Sequence, residues 1–180
     1  MKKMILLMMP AVALLMTGCG SMLSVSPLST SENVVQDPRL VGAWQDDKGE
    51  DVVVVRQSED KSYEVLYTSM KDSAVALKFE VQLVQLNGSR FLDIVRSTDG
   101  WSIPGHNFAK ISLDGDQAKI SFLDSDWLKE QILAERPATR FKKEFVILRD
   151  NTAGLQEMVA KYANEPRAFD GQLELKRIYK

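Results

Sequence analysis

The sequence predicts an all-β fold: an antiparallel up-and-down barrel of eight to nine strands, with two short helices at about 126–135 and 152–164. Three observations carry this. From Leu40 onward, short runs of alternating apolar and polar residues recur at near-regular spacing. Turn chemistry separates them, most strongly at Asn87-Gly88 and Asp114-Gly115, because such hairpins need positive φ angles that Gly, Asn and Asp accept. Two stretches near the C-terminus switch to helical spacing.

The elements follow in order. The first strand holds Gly42-Ala43-Trp44. Asp46-Asp47-Lys48-Gly49 is a turn before Val52-Val53-Val54-Val55, and Ser58-Glu59-Asp60-Lys61 separates that run from Tyr63-Glu64-Val65-Leu66-Tyr67. Ala74 to Leu86 is a long strand. Val75, Leu77, Phe79, Val81 and Leu83 share one face, and Lys78, Glu80 and Gln82 the other. The apolar pair Leu83-Val84 breaks this phase and predicts a bulge or bend. Asn87-Gly88 then leads into Arg90–Arg96, and Asp114-Gly115 joins 107–113 to 117–123.

Asp124-Ser125-Asp126 supplies a cap and early negative charge for the first helix, which stops before Pro137. The second starts after Asn151-Thr152, with Leu155, Met158, Val159 and Tyr162 at helical spacing. Asn164 and Pro166 end it. Phe141 to Arg149 between the helices predicts a strand, and Leu173, Leu175 and Tyr179 alternate in a last one.

Upstream of the barrel the chain has a different character. Met1-Lys2-Lys3 is basic, and Ile5 to Met16 is nearly unbroken apolar but too short to span a bilayer comfortably, which needs about 20 residues. This describes a signal peptide over 1–18. It ends in Met16-Thr17-Gly18-Cys19, which resembles the lipobox of bacterial lipoproteins, with Met16 where Leu is commonest. The resemblance implies cleavage between Gly18 and Cys19 and acylation of Cys19 on its sulfur and amino group. It also explains a lone cysteine in an exported chain, where disulfides need pairs. Gly20-Ser21, with no Asp after the cysteine, implies the outer membrane by resemblance to enterobacterial sorting. Residues 19–36 read as a flexible, lipidated tether rich in Ser, Thr and Val, and 37–180 as the domain. From Cys19 to Leu40 such a tether would reach up to ~70 Å.

Removing Lys2 and Lys3 from 23 Lys and Arg leaves 21 against 25 Asp and Glu, a net of about −4. That balance argues against a nucleic-acid partner and against a cationic membrane-binding surface; the membrane is expected as a partner through the lipid anchor.

Within the barrel, three features together resemble the lipocalin family. Gly42-Ala43-Trp44 is similar to its Gly-x-Trp on the first strand. Phe145-Val146-Ile147-Leu148-Arg149 resembles its eighth strand with a terminal arginine. A helix and a short strand follow, as in the family. The resemblance implies that Trp44 and Arg149 stack beside Gly42 to close one end of the barrel, a cation–π contact with hydrogen bonds from the guanidinium. Arg177 on the last strand is the alternative partner. The chain departs from the family in lacking its Thr-Asp-Tyr motif and in carrying the helix around Trp127.

The sequence offers little catalytic chemistry. His106 is the only histidine, and with Cys19 acylated no zinc set remains. Ser102 sits in a loop, one residue away from a Gly-x-Ser-x-Gly elbow. Asp114/Asp116 and Asp124/Asp126 read as a turn and a cap, without the loop that supplies calcium with six or more oxygens. No catalytic residue, metal ligand or cofactor is expected. Asp93, between Leu92 and Ile94, is either a polar contact in a pocket or an acid facing solvent. Two functional classes fit: a lipid-anchored envelope protein whose barrel binds a small apolar or amphiphilic ligand, or an envelope accessory protein that meets a protein partner through its surface around a filled barrel. In the first, Tyr63, Tyr67, Phe79, Phe91 and Phe122 are the candidate lining.

Overall fold

The computed structural model describes residues 22–69, 76–97, 105–135 and 146–180. Gly18, Cys19 and the whole leader lie outside the described residues, as do Val75, Ser102 and the 141–145 start of the expected eighth strand.

Seven consecutive strands form a meander: β3 (Gly42–Asp46), β4 (Asp51–Gln57), β5 (Ser62–Ser69), β6 (Ala76–Leu86), β7 (Ser89–Arg96), β8 (His106–Asp114) and β9 (Gln117–Phe122). Each pairs antiparallel with the next. The final strand, β11 (Gly171–Tyr179), inserts between β9 and β3 and pairs antiparallel with both, closing an eight-stranded barrel. Closure removes the unpaired edges that an open sheet would present.

Three short strands lie off the barrel: β1 (Met22–Ser24), β2 (Val34–Val35) and β10 (Val146–Leu148). β10 pairs parallel with β1, and β1 meets β8 at Ser24 and His106. The described part of the expected eighth strand, Val146–Leu148, therefore flanks the barrel, and the C-terminal strand takes that place. Helix α1 (Ser125–Glu135) is capped by Asp124, whose Oδ1 accepts the Trp127 N–H at 2.6 Å. Helix α2 (Thr152–Lys161) is capped by Asn151, whose Oδ1 accepts the Gly154 N–H at 2.9 Å. It ends at Lys161, three residues short of the expected 164, and passes into turns before Pro166.

Alternation along the strands divides the apolar residues between two cores. Inside the barrel lie Leu40, Tyr63, Val81, Leu83, Leu92 and Ile111, continuous with Trp44, Val53, Ala118 and Leu175. Outside it, a second core lies between β6–β8 and a layer made of β1, β10, α1, α2 and 163–169. Val84, Phe91 and Phe108 point into this outer core. Phe91 stacks at 5.7 Å on Phe169, and Trp127 meets Tyr162 edge-on at 4.8 Å.

The outer core explains two departures from expectation. No bulge occurs at Leu83-Val84; the register with β7 runs unbroken from Phe79 to Leu86. Val84 is apolar because the outer layer covers it. Residues 22–36 are likewise not a tether. Met22, Leu28 and Val34 are buried, Leu28 completely, and β2 pairs with β6. The segment lacks a period because it packs through isolated side chains rather than as one long strand.

Candidate functional site

One end of the barrel is plugged. A 3-10 turn, Pro38–Leu40, crosses it and inserts Leu40. Trp44 is 2 % exposed and donates its indole N–H to the Leu40 carbonyl at 2.9 Å. A guanidinium does lie over its ring, 4.1 Å from the centroid, but it belongs to Arg177. Arg177 donates to the carbonyls of Val41 (2.7 Å) and Arg39 and to the Asp116 carboxylate (3.0 Å), tying chain ends together across the plug. Arg149, expected in this role, is exposed just beyond β10 on the flank. The register decides the matter: Arg177 sits directly opposite Trp44 in the β11–β3 pair. Gly42 has φ +135°, and a Cβ there would lie 2.4 Å from the Tyr179 carbonyl oxygen and 2.8 Å from the Arg177 guanidinium. The glycine of the Gly-x-Trp motif thus makes room for the arginine.

Tyr63 completes the plug. Its hydroxyl accepts the Asp37 N–H at 2.7 Å and donates to the Asp37 carbonyl at 3.2 Å. The Asp37 carboxylate is itself clamped by Arg39 and Arg90, each at 2.6 Å. Hydrogen bonds from the Arg39 side chain, then its backbone N–H and Arg90, hold this carboxyl well below the usual range against the opposing effect of burial. A lowered folded-state pKa gives stability that is present above the unfolded value near 4 and is lost as pH falls toward the folded one. Asp37→Asn should therefore destabilise by about 1.5–3 kcal/mol at neutral pH, the range for hydrogen bonds to charged groups. Thermal melts between about pH 5 and pH 2 should show a shallower acid dependence for the variant than for the native protein; parallel curves would refute the assignment.

Toward the other end the interior changes. Tyr67, Phe79 and Phe122 face inward and pack on the inner core. Tyr63 also faces inward but belongs to the plug, and Phe91 faces the outer core, so neither lines this region. Both faces of β7 carry large apolar residues, Phe91 and Val95 on one and Leu92 and Ile94 on the other, and alternation alone could not tell which was interior. Val65, Tyr67, Phe79, Ile120, Phe122 and Leu173 all pack on the inner core yet are only partly buried. In a barrel filled to its axis, inward side chains at mid-strand would be buried as Val81, Leu83 and Ile111 are. Here the inward wall is apolar and its side chains are only partly shielded from solvent.

A small polar group stands at this end. Asp51 is buried at the start of β4, opposite Ser69 in the register. Tyr67 donates its hydroxyl to Asp51 Oδ1 at 2.9 Å. Burial first, then the Asp51 carboxylate, pushes the Tyr67 phenol up to about 12. It stays a neutral donor at any physiological pH. The sequence did not single out Asp51; an acid opening a run of four valines was the available signal.

The remaining candidates are structural. Asp93 is 2 % exposed and faces the outer layer, neither solvent nor the barrel interior. Its Oδ2 accepts the N–H groups of Leu28 (2.7 Å) and Ser29 (3.3 Å), and its Oδ1 lies 2.7 Å from His106 Nδ1. The pair fastens the N-terminal segment to the barrel, and the histidine tautomer with the hydrogen on Nδ1 suits it. Asp114 and Asp116 flank a turn, and Asp124 is the α1 cap. Among the described residues no three His, Cys, Asp or Glu side chains gather as a metal site would need. Compared with known proteins, the chain matches no family model, no curated protein and no solved structure.

Proposed function

We propose that the protein is a lipid-anchored envelope lipoprotein of the outer membrane whose barrel holds a small apolar or amphiphilic molecule, in the manner of the lipocalins its sequence resembles. The observation that carries the binding half is the row of inward, partly buried apolar side chains from Val65 to Leu173, closed off at one end by Trp44 and Arg177. Burying an acyl or aromatic group against that wall is favourable by about 25 cal/mol per Å² of apolar surface. The Asp51–Tyr67–Ser69 group supplies the polar end. With Tyr67 already donating to it, Asp51 is an acceptor, so a head group that donates hydrogen bonds suits it better than a second carboxylate. The anchoring half rests on the signal that ends at Cys19. Among the described residues no helix is long and apolar enough to cross a membrane.

The test uses residues 20–180 made without the leader. Fluorescent acyl probes with alcohol or amine heads should bind with micromolar affinity, on the order of −8 kcal/mol. The same chain with a carboxylate-headed probe should bind more weakly. Phe79→Trp, narrowing the interior, should reduce binding of every probe without lowering thermal stability. No binding by any probe, with native-like stability, would favour the accessory protein acting through its surface.

A further inference from the structure

The packed N-terminal segment fixes how close the domain stands to its anchor. Met22 is 3 % exposed and paired with Val146, so the chain is held to the barrel flank from that residue on. Only three peptide units separate Met22 from Cys19. At full extension they span about 10–11 Å. An acylated Cys19 would place the β1–β10 ribbon at the lipid surface, leaving no slack for the barrel to stand clear.

The ribbon suits that position. Met22, Ser24, Val146 and Leu148 turn toward the outer core and are buried. Leu23 and Ile147, register partners, turn the other way, as does Val25, whose N–H donates to the Leu148 carbonyl at 3.2 Å. Val25 is 53 % exposed and Ile147 54 %. Only four large apolar side chains are more than half exposed among the described residues, and two of them share this one face beside the anchor. Scattered exposed apolar residues need no explanation, but a pair on the ribbon nearest a lipid does.

We propose that the outer face of the β1–β10 ribbon is a membrane-docking surface: Leu23, Val25 and Ile147 rest in the interfacial layer of the bilayer that holds the Cys19 acyl chains. The occupant is lipid because the tether length leaves no room for a protein between. An anchor plus a second apolar contact also holds an orientation, where acyl chains alone leave the domain free to turn. The proposal rests on the anchoring reading above, and its test separates the two.

The full chain, produced with its leader, is purified with its anchor and reconstituted into phosphatidylethanolamine–phosphatidylglycerol vesicles. Acylation consumes the Cys19 sulfur, so a single introduced cysteine is the only thiol to label. Val25→Cys, Ile147→Cys and, as a control on the exposed face of β8, Ser112→Cys each carry an environment-sensitive fluorophore. Labels at 25 and 147 should shift to the blue and be quenched by spin-labelled lipid at least twofold more than the label at 112. Using two sites protects the result against one variant that fails to fold. Equal quenching at all three sites, in protein that floats with the vesicles, overturns the docking face but leaves the anchor intact. If the N-terminal peptide has no acyl mass, or Cys19→Ser floats as well as the native chain, the anchor reading fails and the proposal falls with it.

Discussion

Trp44→Ala should cost about 3–5 kcal/mol of stability, the range for a fully buried aromatic cut back to a methyl group. The indole fills the plug, its N–H satisfies the Leu40 carbonyl, and its face carries the Arg177 guanidinium. Removing it opens a cavity and strips one partner from an arginine that must stay where its other hydrogen bonds hold it. Chemical denaturation of the single and double variants tests the arrangement. Arg177→Ala should cost less than Trp44→Ala, since its polar partners are backbone carbonyls and one exposed carboxylate. The two should couple by about 1 kcal/mol or more, as residues in contact do. Arg149→Ala, an exposed change, should stay within about 0.5 kcal/mol and show no coupling to Trp44. Coupling at Arg149 instead of Arg177 would refute the closure described here.

Asp93→Ala should cost about 3 kcal/mol or more, because it leaves buried donors without an acceptor at about 1–3 kcal/mol each. The carboxylate serves three donors at once, two of them backbone N–H groups. Asp93→Asn keeps one acceptor oxygen and should lose less. The signature is local as well as global. Hydrogen exchange at Leu28 and Ser29 should quicken in both variants more than exchange in β4 or β5, because the N-terminal segment detaches before the barrel opens. Uniform acceleration throughout the chain would mean that Asp93 supports the barrel itself.

The barrel was legible in the sequence because its strands alternate and its turns carry Asn-Gly and Asp-Gly. What lay outside the barrel was not. Val84, Phe91 and Phe108 are apolar for the sake of the outer core, and alternation has no way to say which of two apolar faces is interior. That one ambiguity placed Phe91 on the wrong side and suggested a bulge that is absent. Residues 22–36 bury single side chains at irregular intervals, so their composition resembled that of a linker. At the site, the glycine and tryptophan of the plug were recognisable from Gly42-Ala43-Trp44. Their arginine was not decided, because whether Phe141–Arg149 or the final strand closes the barrel depends on pairing between distant segments. Asp51 and Asp37 were invisible for the same reason: their partners Tyr67, Tyr63 and Arg90 are neighbours only after folding.

The placement of β11 also governs the order in which the molecule can be made. Seven barrel strands emerge in sequence and can zip together as successive hairpins, each a local event. The ring cannot shut until residues 171–179 arrive, because among the described strands β11 alone bridges β3 and β9. Until then β3 and β9 expose free edges, and the apolar wall that later faces inward is open on one side. Pairing ends so distant in sequence must overcome loop entropy before it gains any contact, which slows folding. A chain truncated before residue 171 would be left as an open, sticky sheet. Until residues 171–179 are in place the folding chain passes through that state, with the exposed apolar surface that holding chaperones cover.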